Sequence, residues 1–349
     1  MTRDELLERL EYELQFSEVD LSGLDLSGLD LSGLTLDRVA FRGCNLKGAK
    51  LRESVMYQCD FGDADLTGAT FQAVAVYQSI FSNTKWAETD QRVAQFYECD
   101  FSHADMRAAR MVLSTFASSD CTGVKLGGNL LDRVTLAQSD LTDLDLRGAR
   151  IERSTFFETD LTTAKFEGAS WDKVVIFKTS LAGLSFVGLE LPFGQMIDVN
   201  LEGCDFTDAK IPNCNFKGSN LRGAKFDRAD APNTMFVEAD IRGVPFRRAR
   251  LTQSLFSKVK ATGADFTGAD LETSIWHHGQ CEKVIFADAK LTYADFSYAD
   301  VRQADFSGAG LFRARFHSVT DQGAVFTSRA VALGDDEELA KAERFRSTY

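Results

Sequence analysis

Large apolar residues recur at every fifth position of this 349-residue chain, a spacing that neither an α-helix nor a straight β-strand produces. Counted from Leu21, this register passes through Leu26 and Leu31 and continues to Phe326 without an insertion or deletion. A second register lies two residues earlier, begins at Val19, and carries mostly small apolar residues, Ser and Thr. Residues two apart lie on the same side of an extended strand. Each five-residue repeat is therefore predicted to send one large and one small side chain into a common core.

The other three positions of each repeat are mostly polar, and glycine is frequent two residues after the large position, as at Gly23 and Gly28. Glycine at that place suits a chain that turns a corner between repeats. Residues twenty apart share an identity that residues five apart do not, because phenylalanine occupies every twentieth position from Phe166 to Phe326. We therefore expect four repeats in each coil, with residues i and i+20 stacked on neighbouring coils.

The repeat also matches a known sequence motif. The segments ADLTGATF (64–71), CDFTDAKI (204–211) and ADFTGADL (264–271) match the A(D/N)Lxx signature of pentapeptide-repeat proteins, and the match covers about residues 19–327. The chain therefore resembles that family, whose fold is a right-handed quadrilateral parallel β-helix. The resemblance implies an all-β solenoid of about fifteen coils, with short α-helical caps at both ends.

Helical caps are predicted at the two ends of the repeats. Residues 1–16 are predicted to form an N-terminal capping helix, in which Thr2 and Glu5 make a capping box. The apolar face of that helix is predicted to consist of Leu6, Leu7, Leu10 and Leu14. Residues 17–327 form the β-helix, and residues 328–349 form a C-terminal helical cap or dimerisation segment.

The C-terminal helix is predicted to begin at Asp335 or Asp336 as its N-cap. Its predicted apolar contacts are Leu339, Ala342 and Phe345. Either terminal helix is a candidate contact of a homodimer. Members of the family that act on DNA gyrase resemble dimers joined at their C-termini, which implies the same arrangement as one alternative here.

Charge and hydropathy exclude several classes of function. The net charge of −13 argues against direct binding to nucleic acids or to an anionic membrane, because both need clustered Lys and Arg. The sequence has no apolar run of membrane-spanning length and no signal-peptide pattern. We expect a cytoplasmic protein that does not contact a membrane.

Candidate catalytic and metal-binding residues do not fit the register. The stretch HHGQC (277–281) places His277 and His278 outward and Cys281 inward, so their side chains are not expected to converge on one ion. All seven cysteines occupy inward positions, where free Cys packs as a small apolar residue. Phosphate-binding motifs are absent. We predict that the protein is not an enzyme and has no catalytic residues, cofactor or bound metal.

The register is broken locally at Gln91, Asn129, Ala231, Ala261 and Asp321. One interpretation is a local distortion of the coil or, for Asp321, fraying near the C-terminal cap. The other interpretation is a ligand-binding role, because buried polar groups need partners.

One side of the coil, the face centred on Leu36, has few charges and many outward apolar residues. Most phenylalanines occupy inward positions whereas no tyrosine does, so the outward Phe157 and Phe177 break the sorting rule of the chain. The outward apolar residues of this face are therefore predicted to bind a partner protein. The predicted partner-binding residues are Tyr57, Tyr77, Tyr97, Phe157, Phe177, Ile197, Val175, Met235, Leu255 and Ile275. Two alternatives are that stacked aromatic rings only reinforce the sheet, or that a terminal segment folds back over them.

A second side of the coil, the face centred on Leu21, concentrates acidic residues. The residues of this predicted acidic face are Asp60, Asp63, Asp100, Asp120, Asp140, Asp143 and Asp160. Gyrase-protecting members of the family, which include quinolone-resistance proteins, are acidic rods that resemble duplex DNA. The resemblance therefore implies DNA mimicry as one use of this face.

The predicted function is that of a non-enzymatic scaffold or adaptor, which binds another protein along its exposed aromatic face. The N-terminal helix followed by DLSGLDLSGLDLSG (20–33) also resembles pentapeptide-repeat proteins encoded in bacterial type VI secretion clusters, which implies a secretion-associated adaptor. The alternative is a DNA-mimicking regulator or protector of DNA gyrase or another type II topoisomerase.

Overall fold

The computed structural model describes residues 1–344 of the chain. These residues form two compact units, the first covering Met1–Val175 and the second beginning at Ile176. The helices are α1 (Arg3–Leu10) and α2 (Glu337–Arg344). The strands of the first unit are β1 (Gln15–Ser17), β2 (Thr35–Asp37), β3 (Val55–Tyr57), β4 (Ala75–Tyr77), β5 (Gln95–Tyr97), β6 (Met111–Val112), β7 (Thr115–Ala117), β8 (Leu130–Asp132), β9 (Thr135–Ala137), β10 (Arg150–Glu152), β11 (Thr155–Phe157) and β12 (Ser170–Asp172). The remaining strands are β13 (Val175–Phe177), β14 (Gln195–Ile197), β15 (Asp305–Phe306) and β16 (Val325–Phe326).

In the first unit, every strand pairs in parallel with the segment twenty residues away. One sheet runs β1-β2-β3-β4-β5-β7-β9-β11, and a second runs β12-β10-β8-β6. The register is Phe16 against Leu36 in the first sheet and Ile151 against Trp171 in the second. The other two sides of each coil pair through single parallel bridges, such as that of Asp20 with Ala40. Four sides and a twenty-residue coil confirm the predicted quadrilateral parallel β-helix.

The second unit repeats this construction with single-residue bridges on its four sides. Ser180 pairs with Asn200, and Glu190 pairs with Lys210, both in parallel. The same i to i+20 pairing recurs as far as Asp300 with Thr320. The last pair of strands, β15 and β16, follows the same offset.

The core of each unit consists of the side chains that the five-residue register sends inward. In the second unit, Phe226 is fully buried and stacks on Phe206 and Phe246 with ring centroids 4.7 Å away on both sides. Phe216 and Phe236, from the adjacent column, meet the same ring edge-on. All seven cysteines are buried and free, as predicted. The register thus predicts the core residue by residue.

The corners of the coil impose a left-handed backbone at the position two residues after the large side chain. Gly23 and Gly33 have φ values of 72° and 70° there, as their frequency in the sequence indicated. Non-glycine residues adopt the same conformation, including Arg38 at 51° and the β-branched Val93 at 59°. Because this region is unfavourable for L-residues with a side chain, coil closure must outweigh the local strain at those corners.

The N-terminal helix has the predicted capping box but is shorter than predicted. The Glu5 backbone N–H donates to Thr2 Oγ1 at 3.3 Å, and the Thr2 N–H donates to Glu5 Oε2 at 2.7 Å. The helix ends at Leu10, and only Leu6 is buried in it, so the predicted apolar face that included Leu7 and Leu14 is wrong. Leu14 is 71% exposed.

The reason for the early end is that Phe16 belongs to the β-helix. Phe16 is buried in β1, which pairs with β2, so the coil begins at Gln15 rather than at residue 17. The Arg9 guanidinium lies over the Phe16 ring at 4.8 Å from its centroid. The helix therefore ends before residue 15, because Gln15 and Phe16 adopt the extended conformation of β1.

The C-terminal helix begins after Asp336, whose Oδ1 accepts the Leu339 backbone N–H at 3.0 Å, as predicted for an N-cap. The predicted apolar contacts are wrong where they can be judged, because Leu339 and Ala342 are exposed. The third predicted contact, Phe345, lies outside the described residues.

The C-terminal segment is anchored instead through His317. This side chain is completely buried, and its Nδ1 accepts the Asp336 backbone N–H at 3.0 Å. The Tyr298 hydroxyl donates to the Glu343 carboxylate in α2. His317 occupies an outward position on the face centred on Leu36. A terminal segment therefore does cover part of this face, but in the second unit and near residue 317.

Candidate functional site

Three tyrosines stack on the outside of the first unit and form what we call the tyrosine ladder: Tyr57, Tyr77 and Tyr97. They end strands β3, β4 and β5 and lie directly opposite one another in register. The ring centroids are 5.2 Å apart between Tyr57 and Tyr77, and 5.4 Å between Tyr77 and Tyr97, with 12° between the ring planes in both pairs. Tyr57 is 43% exposed, and the other two rings are partly exposed. The result is a rigid aromatic surface that faces solvent.

A parallel row of hydrogen-bonded side chains, two amides and one carboxylate, lies at the corner adjacent to the ladder. Gln58 Nε2 donates to Gln78 Oε1 at 3.1 Å, and Gln78 Nε2 donates to Glu98 Oε2 at 2.8 Å. Each amide therefore fixes its neighbour on the next coil beside the stacked rings. The stacked rings order one another on successive coils, so a partner that bound them would lose less conformational entropy in ordering them.

The remaining predicted partner-binding residues fall into three groups. In the first unit, Phe157 is partly buried and Val175 is exposed, and two alanines separate Phe157 from the ladder. In the second unit, Phe177 and Ile197 are partly buried, and Lys178 Nζ lies 5.6 Å from the centroid of the Phe177 ring. A further row of partly buried apolar residues pairs in register across the second unit: Met235, Leu255 and Ile275.

The acidic face of the first unit contains a ladder of like charges, Asp100, Asp120 and Asp140, which pair in parallel through their backbones. We call these three residues the acidic ladder. Each carboxylate accepts the backbone N–H two residues later, at 2.8 Å for Asp100 and Asp120 and at 2.9 Å for Asp140. These contacts close an Asx turn at each corner, which is a structural reason for aspartate at this position.

The remaining acidic-face residues differ in whether a cation lies near them. Asp63 pairs with Arg42 at 3.0 Å, and Asp143 lies 3.9 Å from Lys165. Asp60 also lies within ion-pair distance of Arg42, at 3.8 Å. Among residues 1–344, no Lys or Arg lies within 4.0 Å of the carboxylates of the acidic ladder or of Asp160.

On other sides of the coil, charges alternate and neutralise one another across neighbouring strands. Lys210 Nζ lies 2.6 Å from Glu190, and Arg250 lies 2.5 Å from Asp230. Opposite charges on paired strands stabilise a sheet, whereas like charges directly opposite one another destabilise it. Asp132, Glu152 and Asp172 also form a like-charged row, but each of them has an Arg or Lys within 4.0 Å. The acidic ladder differs because no Lys or Arg lies that close to it among residues 1–344.

The comparisons with known proteins decide the family. The family model described as pentapeptide repeats (8 copies) matches overlapping segments that together cover residues 15–83, 94–168 and 281–319, which is more than half of the chain. A related model, described as pentapeptide repeat region, matches residues 209–281. The chain belongs to the pentapeptide-repeat family.

Solved structures similar to this pentapeptide-repeat protein include members described in quite different roles. A trypsin-treated variant of QnrB1, described as a plasmid-mediated fluoroquinolone resistance protein, is 20% identical, with 63% of this chain and 94% of that chain covered and a TM-score of 0.37. HetL, a pentapeptide repeat protein involved in heterocyst differentiation regulation from the cyanobacterium Nostoc sp. strain PCC 7120, is 21% identical, with 90% and 96% covered and a TM-score of 0.21. No curated protein sequence matches significantly.

The described part of this pentapeptide-repeat protein has no cluster of metal-binding side chains, and its cysteines are buried. Within residues 1–344, no three His, Cys, Asp or Glu side chains are arranged to hold a metal ion. Burial raises the pKa of the Cys99 and Cys204 thiols to about 12, so these cysteines stay protonated and unreactive at neutral pH. None of the helices in that range is both long and apolar enough to cross a bilayer.

Several irregular positions of the register have structural roles. Asn129 is buried, and its Nδ2 donates to the Met106 carbonyl at 2.7 Å while its Oδ1 accepts the Ala108 N–H at 2.7 Å. Asp321 pairs with Arg329 at 2.5 Å, and Arg329 also lies over the Phe316 ring. These contacts favour the structural interpretation over a ligand-binding one at both positions.

Gln91 is the exception, because one of its polar atoms is buried without a partner. Its side chain is fully buried, and Nε2 donates to Thr89 Oγ1 at 3.1 Å, but Oε1 has no hydrogen-bond partner in the described chain. We expect Gln91→Leu to raise the free energy of unfolding by about 1–2 kcal/mol, because leaving a buried acceptor unpaired costs about that much. Urea denaturation measures this change.

The control for that prediction is Gln91→Ala, which removes the same orphaned atom but leaves a cavity. It is expected to destabilise the protein, because the packing lost to the cavity costs more than the removal of one unpaired acceptor gains. A lower unfolding free energy for Gln91→Leu than for the wild type would contradict the interpretation of Gln91 as a strained core position.

A recurring Asp-x-Arg clamp predicts how stability depends on pH. Asp145 accepts from Arg147 Nη2 at 2.6 Å and Nε at 2.9 Å, and the Arg147 side chain lowers the pKa of that carboxyl to about 2. Because the folded pKa lies below the unfolded value of about 3.9, this stabilisation is present above about pH 4 and is lost as the pH falls towards 2. The same clamp lowers the pKa of Asp105, Asp240 and Asp300.

We therefore expect the free energy of unfolding to fall as the pH is lowered from about 5 to 2, and to fall less steeply in Asp145→Asn. Urea titrations at several pH values provide the measurement. Arg147→Gln keeps the carboxylate but removes the cation. It should therefore also reduce the pH dependence of the free energy of unfolding between about pH 5 and 2. Identical pH profiles for wild type and Asp145→Asn would show that this clamp contributes nothing to acid stability.

Proposed function

We propose that this pentapeptide-repeat protein is a non-enzymatic scaffold that binds a partner protein through the tyrosine ladder of its first unit. The observation that carries the proposal is the stack of three tyrosine rings facing solvent beside an ordered row of amides. Three aromatic rings in one unbroken outward stack give a continuous apolar surface on successive coils. Tyrosine is among the residues most enriched in the centres of protein interfaces.

Reinforcement of the sheet alone does not account for the position of the ladder. Cross-strand aromatic pairs contribute about 0.2–1 kcal/mol each on a sheet surface. The inner columns already stack phenylalanine on phenylalanine through the core, as Phe41 on Phe61 at 4.6 Å. A second stack outside adds little stability, whereas a preorganised aromatic surface suits recognition.

A bacterial secretion-associated adaptor is one specific form of this proposal. Such an adaptor would hold a cargo or a machinery component on the ladder while the coil serves as a rigid support. It is distinguished from other scaffolds only by the identity of the partner, so the same capture experiment tests both the general and the specific form.

The test is photo-crosslinking in the native cell. We expect a chain carrying p-benzoylphenylalanine at position 77 or 97 to capture one protein in common. The control places the crosslinker at Tyr293, which is exposed in the second unit and outside the ladder. Capture of the same protein equally from position 293, or different proteins from 77 and 97, would refute docking on the ladder.

A second candidate function is DNA mimicry by the acidic ladder. It is favoured by the three carboxylates stacked coil on coil, with no Lys or Arg within 4.0 Å of them among residues 1–344. A gyrase supercoiling assay tests it with the triple variant Asp100→Asn, Asp120→Asn and Asp140→Asn. Asparagine keeps the Asx turn but removes the charge. An effect on gyrase that the variant retains in full would eliminate this candidate.

A further inference from the structure

Two alanines interrupt the outward aromatic column of the first unit and leave a notch. Strands β5, β7, β9 and β11 lie side by side in register, so Tyr97, Ala117, Ala137 and Phe157 hold the same position on four successive coils. The two rings are the walls of the notch, and the two methyl groups are its floor. Both alanines are partly accessible, so the floor is open to solvent.

The width of the notch matches one element of secondary structure. Three coil steps of about 4.8 Å place the two walls about 14 Å apart. A ring occupies about 3.5 Å of van der Waals thickness, which leaves about 11 Å between the wall surfaces. An α-helix with its side chains is about 10–12 Å across, whereas a single extended strand fills less than half of that width.

The two ends of the notch differ in charge. Beyond the corner that follows Ala117 and Ala137 lie Asp120 and Asp140, which are exposed and have no Lys or Arg within 4.0 Å among residues 1–344. At the opposite corner, Leu113 is exposed and Arg133 is already paired with Asp132 at 3.0 Å. The first end is therefore negative, whereas at the opposite end the Asp132 carboxylate near Arg133 is shared with Arg153.

We propose that the notch binds an α-helix of the partner protein, which lies across the coil parallel to its strands. Small apolar residues of that helix pack on Ala117 and Ala137 between the walls Tyr97 and Phe157. A Lys or Arg at one end of the helix pairs with Asp120 and Asp140. This inference rests on the proposed function, because it names the element of the partner that the aromatic surface receives.

The probe is a phage library of helical peptides displayed on one fixed scaffold and selected on the full-length chain. We expect enriched helices to carry small apolar residues on one face and Lys or Arg at one end. Their binding should weaken at least tenfold in the double variant Ala117→Tyr and Ala137→Tyr, which fills the notch with the ring that the ladder already stacks. Higher ionic strength should also weaken it, since the charged end is exposed.

The matched control is Ala87→Tyr, which adds the same ring at the equivalent outward position on another face, where Ala87 is partly exposed. It should leave binding unchanged. Enriched helices that bind the filled variant as tightly as the wild type, or a selection that favours acidic ends, would overturn the inference. If Tyr77→Asp abolishes capture of the native partner while the filled variant captures it normally, the proposed function survives and the notch does not.

Discussion

Replacing Phe226 by alanine is expected to lower the free energy of unfolding by about 3–5 kcal/mol. Its ring is fully buried and is sandwiched between Phe206 and Phe246, with Phe216 and Phe236 edge-on. Truncation removes the transfer free energy of a whole ring and leaves a cavity that the stacked neighbours can close only in part. Urea denaturation followed by far-UV circular dichroism measures the loss.

The matched control is Phe312→Ala, because Phe312 is outward and 52% exposed. That change is expected to cost less than about 1 kcal/mol, since little apolar area is removed from a packed environment. Equal destabilisation by the two substitutions would mean that the inward phenylalanine columns do not hold the coil together.

Replacing Tyr77 by aspartate is expected to weaken binding of the partner by at least about thirtyfold while leaving the coil folded. Tyr77 is the central ring of the tyrosine ladder and touches both neighbours. Central aromatic residues of an interface commonly account for 2 kcal/mol or more of binding free energy, and 1.4 kcal/mol corresponds to a factor of ten. Surface plasmon resonance with the crosslinked partner, once purified, provides the measurement.

Two controls separate recognition from folding in that experiment. Tyr77→Phe keeps the stacked ring and should retain most of the affinity. Tyr77→Asp should keep the circular dichroism of the wild type and lose no more than about 2 kcal/mol of unfolding free energy, the contribution of its two stacked pairs. Undiminished binding by a folded Tyr77→Asp protein would remove the ladder from the interface.

Most of the fold can be read from the sequence because one physical rule is repeated without interruption. An inward large residue every five positions and an identity shared every twenty fix both the strand register and the number of sides. The burial of Leu21, Trp86 and Phe306 and the stacking of Tyr57 on Tyr77 follow directly from that rule. Insertions, which would blur such a register, are absent from it.

The ends of the coil could not be predicted in the same way, because each occurs once. Helical periodicity extends α1 through Leu14, but Phe16 is needed in the core and the helix ends at Leu10. In the same way, the register places His317 outward. Nothing in its sequence context indicates that this side chain would be buried and would accept the Asp336 backbone N–H just before α2. Long-range contacts of a terminal segment decide both cases.

The functional surface is predicted in part. The outward tyrosines and the acidic positions follow from the register, since each residue has a fixed face. The hydrogen-bonded row beside the ladder depends on side-chain conformations, which a periodic pattern does not determine. The same is true of the absence of Lys and Arg within 4.0 Å of Asp120 among residues 1–344. The sequence shows Ala117 and Ala137 in the same outward column as the aromatic residues. The width of the notch and the charge at its end, on which its proposed binding role depends, require the structure.

The central claim is that the tyrosine ladder is the surface on which the partner docks, and fluorine NMR of the chain labelled with 3-fluorotyrosine tests it most directly. The chain has only seven tyrosines, so single Tyr→Phe variants assign every signal. On addition of the purified partner, we predict that the signals of Tyr57, Tyr77 and Tyr97 shift or broaden while those of Tyr12 and Tyr293 stay in place. A partner that binds with the three ladder signals unchanged would contradict the account.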